Sequence, residues 1–349
     1  MSLPESMRAA RITAHGGPEV LEVVEVAVPK PGPGEVLVQV AAAGVNNTDL
    51  WTRRGSYGVP GDPDAKAGWR GSVDFPRIQG ADAAGRVAAV GEGVDDGLLG
   101  RRVLVDPSLY GSDDPDANPI GLLGSEADGG YAEFLVVPAS RVHDVHDSAL
   151  TDVELAALPT AYGSAMGMIA RGGLGAGDTA LVTGASGGVG LAAVQLAKER
   201  GARVIAVCSA AKFDAVREAG ADEVLDRAGD VVAAVRQAAP DGVDVVLDAI
   251  GGRFVGDGLP LLVEGGRWVL AGALAGHALE IDARHVYLRN VAIIGSAMHT
   301  PAIFAELVEV IRRGRLRPVI SGTFRLEEAV QAQEQLGERN HIGKLVLEL

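Results

Sequence analysis

The rhythm of apolar and polar positions changes once along the chain, near residue 150. Before it, short runs alternate: 36–40 (Val-Leu-Val-Gln-Val), 85–90 and 102–105, with Gly and Pro clusters between them. Alternation with period two predicts half-buried strands, so this part reads as β-rich. After it, compact apolar runs at 180–183, 204–207, 243–247, 268–271 and 291–294, and a shorter one at 223–225, are separated by Ala-rich stretches such as 190–200 and 211–219. Strand, helix, strand at this spacing predicts βαβ units and a parallel sheet. A helix over 301–313 and a last strand at 344–347 close the chain, and this segment is expected to return to the first domain. The fold class is therefore α/β, a doubly wound parallel-sheet domain beside a β-rich one. The apolar run 291–295 would be the last strand of the sheet, an edge that needs covering. That edge predicts a homodimer.

With 349 residues the chain is too long for one ordinary core, which agrees with two domains. Its formal net charge of −15 makes nucleic acid an unfavourable partner. No apolar run approaches the ~18 residues of a membrane span, and no leader-like segment is seen at the N-terminus. One cysteine, Cys208, excludes an internal disulfide and any zinc site built on several thiolates. A reducing cytoplasm is the expected location. Asp113, Asp114 and Asp116 read as a solvated turn.

The chemistry begins where the run 180–183 meets Gly184-Ala185-Ser186-Gly187-Gly188-Val189-Gly190 and then a helical stretch. Strand, glycine turn and helix are the context of a Rossmann dinucleotide fingerprint. Gly187 would let backbone approach a pyrophosphate, Gly190 would let helix and strand pack closely, and the helix N-terminus would face the phosphates. Ala185 holds the place of the fingerprint's first Gly. An NAD site wants an acidic residue at the end of the second strand. Here the chain reads Val207-Cys208-Ser209-Ala210-Ala211-Lys212. Ser209 and Lys212, joined by Arg227, are expected to hold a 2′-phosphate by charge-assisted hydrogen bonds, so the cofactor is taken as NADPH. Gly251 and Gly272 complete the expected cofactor set.

Several segments resemble the medium-chain dehydrogenase/reductase family, which includes zinc alcohol dehydrogenases and zinc-free quinone oxidoreductases. They are Pro31-Gly32-Pro33-Gly34-Glu35-Val36, the loop Gly44-Val45-Asn46-Asn47-Thr48-Asp49, Phe75 through Gly85, Gly129-Gly130-Tyr131-Ala132-Glu133, and Gly343-Lys344-Leu345-Val346-Leu347. The resemblance covers nearly the whole chain. It implies a GroES-like catalytic domain made of 1–151 and 296–349, a Rossmann NADP-binding domain over 152–295, and an active site in the cleft. It also implies that Arg53, Tyr57 and Thr160 lie near nicotinamide or substrate, with Thr160 on the carboxamide and Trp51 and Tyr57 as lining aromatics. Residues 61–74 look like an insertion lying over the cleft as a loop.

The departures from the family are informative. Zinc members carry a Cys ligand where this chain has Asn46 and a His ligand where it has Ala81, and Asp82 stands in place of their Glu. A lobe with four cysteines is replaced by a segment with none. Losing a Cys and a His ligand leaves no tetrahedral zinc site. Without a Lewis acid, electrophilic substrates are favoured, a quinone or an α,β-unsaturated carbonyl. Asn46 would donate to the oxygen that gathers charge, Tyr57 or water would deliver the proton, and Asp49 joins them in the catalytic set. An alcohol or aldehyde dehydrogenase-like enzyme and a non-catalytic NADPH-binding sensor stay open as alternatives.

Overall fold

The computed structural model describes residues 3–59, 61–62 and 64–349. Pro63, within the expected insertion, and Met1 and Ser2 lie outside the described residues. The chain divides into two compact units, one made of Met1–Thr160, Phe304–Gly314 and Pro318–Leu349, the other of Ala161–Ile303 and Arg315–Arg317.

The first unit is β-rich. Its main sheet runs Val142–Asp144, Arg102–Val105, Ala84–Val90, Glu35–Val45, Lys344–Glu348, Ile320–Arg325, with Phe134–Pro138 also paired to Glu35–Val45. A smaller sheet holds Leu21–Ala27, Ser6–Ile12 and Arg77–Ile78. Val36, Val38 and Val40 alternate into a core with Val87, Val103 and Leu135. A second cluster gathers Leu50, Tyr131, Leu336 and Leu345 under the helices Asn47–Arg54 and Ala329–Glu338. The last strand pairs antiparallel with Glu35–Val45 in a register that sets Leu345 opposite Val45 and Leu347 opposite Ala43. One step further along that ladder, Lys344 comes beside Asn46. The strand Ile320–Arg325 and the helix after it were not among the expected elements.

The second unit carries a six-stranded parallel sheet in the order Glu223–Asp226, Arg203–Cys208, Thr179–Val182, Val243–Asp248, Leu262–Leu270, Ala292–Gly295. In chain order this is third, second, first, fourth, fifth, sixth, the doubly wound arrangement. Helices on both faces explain why its strands read as near-continuous apolar runs. Leu181, Ile205, Val246 and Trp268 form its core. Trp268 donates its indole N–H to Asp248 Oδ2 at 3.0 Å, and Thr183 Oγ1 donates to Asp248 Oδ1 at 2.5 Å, so this buried carboxylate is satisfied from both sides. Ala292–Gly295 is at the sheet edge and half-exposed. Among the described residues no helix is long and apolar enough to cross a membrane.

Candidate active site

In the β-rich unit the strand Glu35–Val45 ends at Asn46, which begins the helix Asn47–Arg54. Asp49 caps the helix start from within, with Asn46 N donating to Asp49 Oδ2 at 2.8 Å and Asp49 N donating to Asn46 O at 3.1 Å. Asp49 also accepts from Ala81 N at 3.2 Å and Tyr131 Oη at 2.8 Å. It is 2% exposed, and burial raises its carboxyl pKa to about 6 against these hydrogen bonds. Asp49 thus pins the helix start to the loop at Ala81. Its oxygens are occupied by protein donors.

Asn46 is held by the protein in the same way. Its Nδ2 donates to Asp82 Oδ2 at 2.9 Å and to Gly44 O at 3.2 Å, and its Oδ1 accepts from Lys344 Nζ at 2.5 Å. Both amide protons are committed, so none is left for a substrate oxygen. Lys344 Nζ also donates to Val45 O at 2.9 Å and reaches Asp82 Oδ2 at 3.3 Å. Asp82 Oδ1 accepts from the backbone N–H of Thr160 at 2.7 Å. Gly44 makes room for this carboxylate, since a Cβ there would meet Asp82 Oδ2 at 2.4 Å. The family's metal position therefore holds an asparagine amide, an alanine methyl, a carboxylate and an ammonium. This donor set does not fit zinc. Among the described residues no group of three His, Cys, Asp or Glu side chains is placed to hold a metal.

The hydroxyl that remains is Thr48, in the first turn of the same helix. It is half-buried and accepts from Tyr57 Oη at 2.8 Å. Burial pushes the Tyr57 phenol well above its usual range, with Asp49 and Glu126 adding to it, so Tyr57 stays protonated. Trp51 lies against Tyr57 with ring centroids 5.2 Å apart. Arg53, on the same helix, is 1% exposed, and its Nε and Nη1 have no hydrogen-bond partner among the described residues. The segment expected to be an insertion is tied down where Trp69 N donates to Ser125 Oγ and Arg70 N to Glu126 Oε1, both 2.9 Å, and the Arg70 guanidinium stacks on Trp69 at 4.7 Å. Thr160 Oγ1 is buried and has no hydrogen-bond partner among the described residues. An orphaned buried hydroxyl fits a polar ligand group such as a carboxamide. Asp113, Asp114 and Asp116 are exposed, with Asp114 Oδ1 accepting from Asp116 N.

The glycine turn lies in the second unit. Gly184 has φ +58°, Gly187 starts the helix Gly188–Glu199 without a side-chain cap, and Ser186, Gly188 and Val189 are half-buried around it. Gly190 is required by packing, as a Cβ there would meet Gly184 O at 2.2 Å. A Cβ at Gly187 would meet only Gly184 O, at 3.6 Å. That glycine is not demanded by the protein's own packing, and its open side fits close approach by a phosphate. Gly251 and Gly272 bring the ends of two strands together, and a Cβ on Gly251 would meet Gly272 O at 2.8 Å.

Ser209, Lys212 and Arg227 converge at the end of Arg203–Cys208. Arg227 N donates to Cys208 O, and Lys212 N to Ser209 O, both at 2.9 Å. Burial first, and then the neighbouring Arg227, lowers the Lys212 ammonium pKa. Arg217 also acts on Cys208 from this side. One feature escaped the sequence reading: Asp226 lies opposite Cys208 in the adjoining strand, so the strand end has a carboxylate near it after all. Asp226 is turned to accept from Ala228 N at 3.1 Å. Sequence reading likewise gave no role to Thr48 and Lys344, although both lie inside the motifs that carried the resemblance, and it named Asp82 only as a departure from the family.

Comparisons with known proteins agree with this architecture. Residues 32–147 match the alcohol dehydrogenase GroES-like domain, and residues 188–313 match the zinc-binding dehydrogenase domain. The chain is 30% identical to an acryloyl-coenzyme A reductase of Metallosphaera sedula, with 96% of this chain and 98% of that protein covered. It is 30% identical to a quinone oxidoreductase of Rattus norvegicus, covering 98% and 97%. A solved structure of a putative alcohol dehydrogenase from Sinorhizobium meliloti superposes with a TM-score of 0.95 at 43% identity, covering 99% of this chain and 97% of that one.

Proposed function

Since the chain belongs to the medium-chain dehydrogenase/reductase family and is an oxidoreductase, we propose that it reduces a quinone or an α,β-unsaturated carbonyl with NADPH and without zinc. The observation that carries this reading is the Tyr57–Thr48 pair. Tyr57 Oη donates to Thr48 Oγ1, so the Thr48 proton is free to point at a substrate oxygen. An oxyanion forming there takes the Thr48 proton, the Tyr57 proton passes to Thr48 Oγ1 along the existing hydrogen bond, and water returns a proton to Tyr57, so the phenol is protonated before and after the step. This replaces the asparagine donor of the sequence reading and needs no metal.

When bound, the cofactor supplies a hydride. Gly187, Gly188 and the helix start behind them would hold its pyrophosphate, Thr160 Oγ1 its carboxamide, and Ser209, Lys212 and Arg227 its 2′-phosphate. The names of two relatives, a quinone oxidoreductase and an acryloyl-coenzyme A reductase, support electrophilic conjugated substrates. Turnover of a panel of quinones and enones with NADPH and NADH, before and after treatment with a chelator, tests the reading. NADPH-dependent reduction that survives chelation is expected. Oxidation of simple alcohols that is lost with about one tightly bound zinc per chain would overturn it. We also infer a homodimer through the edge strand Ala292–Gly295, and light scattering giving a monomer at micromolar concentration would remove that claim.

A further inference from the structure

We propose that Lys344 is the positioning residue of this site, a cation supplied by the chain itself that holds Asn46 and Asp82, and through them the Thr48 helix start and the Thr160 amide. The proposal rests on the reading of this site as the reacting centre, and its test includes a measurement that does not depend on turnover.

The geometry is closed. An ammonium has three protons, and Lys344 Nζ has three acceptors, Val45 O, Asn46 Oδ1 and Asp82 Oδ2. The side chain of Lys344 is 5% exposed and that of Asp82 is 0% exposed. A carboxylate this deeply buried is costly unless a cation accompanies it. Asp49, the second buried carboxyl group, feels the same pair, with Asp82 raising its pKa and Lys344 lowering it. Asp82 serves both sides of the site, with one oxygen on Thr160 N and the other on Asn46 and Lys344. Without the ammonium, Asn46 Oδ1 loses its donor and its amide is no longer held in one orientation. The helix start that carries Thr48 then loses its anchor to the last strand.

This also explains how a chain with the family's metal-binding architecture works without the metal. The place where other side chains would surround a cation is filled by a cation on a tether, with every donor and acceptor used. A lysine that merely filled space would not need its charge. A displacement of ~1 Å at a reacting centre costs about 100-fold in rate, and that is the loss expected for Lys344→Ala and Lys344→Met, in kcat rather than KM.

Lys344→Ala is titrated with methyl-, ethyl- and n-propylammonium chloride while its thermal midpoint and its turnover of the best quinone or enone are followed separately. The midpoint is expected to rise saturably, most with propylammonium. Equal sodium chloride should have no such effect, and the wild type should not respond. The kcat should recover in parallel. Lys344→Met, which keeps length and loses charge, should lose kcat and not recover. Wild-type turnover in Lys344→Met, or a Lys344→Ala that no amine stabilises or reactivates, would overturn the proposal. If Lys344→Ala does not fold alone, refolding with and without propylammonium decides the matter, with folded protein only in its presence supporting the proposal and none in either case overturning it. Absent quinone and enone turnover in the wild type, with the amine-dependent midpoint intact, would overturn the proposed reaction and leave the resident cation standing.

Discussion

The Asn46–Asp82–Lys344 cluster and the Ser209–Lys212–Arg227 cluster are both polar and both near expected ligand positions, yet they are built on opposite plans. In the first, every proton has an acceptor within the chain, and the charges are balanced and buried. In the second, Lys212 and Arg227 are brought together at a partly exposed strand end, where burial and then Arg227 lower the Lys212 ammonium pKa. A cluster that completes itself can orient its neighbours but has nothing left to offer a ligand. A cluster that gathers one sign of charge gains when an anion arrives. On the proposed reading, function divides accordingly, positioning in the β-rich unit and recognition in the cofactor unit.

The hardest way to break the closed cluster is to remove its carboxylate. Asp82→Ala leaves the Lys344 ammonium buried without its partner, and denaturant unfolding should register a loss of about 3–5 kcal/mol. A loss well under 1 kcal/mol would mean that the cluster is open to water. Asp49 gives a pH signature beside it. Its pKa is raised in the folded state to about 6, so the folded chain binds a proton more tightly than the unfolded one. Its contribution therefore falls as pH rises from about 4 to about 6, by up to about 3 kcal/mol. The stability difference between wild type and Asp49→Asn should change with pH in that window and be flat above it. A difference that is flat throughout would remove the buried-acid assignment.

Tyr57→Phe sharpens the distinction between positioning and reacting groups. Loss of the phenol proton should lower kcat on the order of 100-fold while cofactor affinity and thermal midpoint stay close to wild type. An unchanged kcat would point to water as the proton donor. The open cluster should respond least in rate and most in choice of cofactor. Lys212→Ala should weaken NADPH about tenfold, through loss of one charge-assisted bond, and leave NADH almost unchanged. Cys208→Asp should shift preference toward NADH. Titrations in which wild type binds both cofactors equally would remove the 2′-phosphate site, and would give Asp226 the larger part in cofactor choice.

The strands of the cofactor unit were legible because each carries its own apolar run. Residues 184–190 identify the phosphate turn within seven positions, and Gly190 is explained by contacts only a few residues away. Asn46, Ala81 and Asp82 could also be named from the chain, because their meaning came from what they replace. What those residues bond to could not. Lys344 is 262 positions from Asp82 and reaches it only because the last strand pairs in one register with Glu35–Val45. Asp226 faces Cys208 through a neighbouring strand, and a reading that followed one strand to its end did not see across to the next.

The sequence by itself determined the alternation of strand and helix, the nucleotide turn, the missing zinc ligands and the candidate cations, since these depend on residue type and short spacing. The tertiary structure alone decided that Asn46 and Asp49 are spent on the protein, that Thr48 and Tyr57 are joined, and that an ammonium sits among Asn46, Val45 and Asp82. The reason is physical. A side chain's chemistry is set by the partners that satisfy its donors and acceptors, and for buried groups those partners come from strand register and helix packing, not from neighbours along the chain.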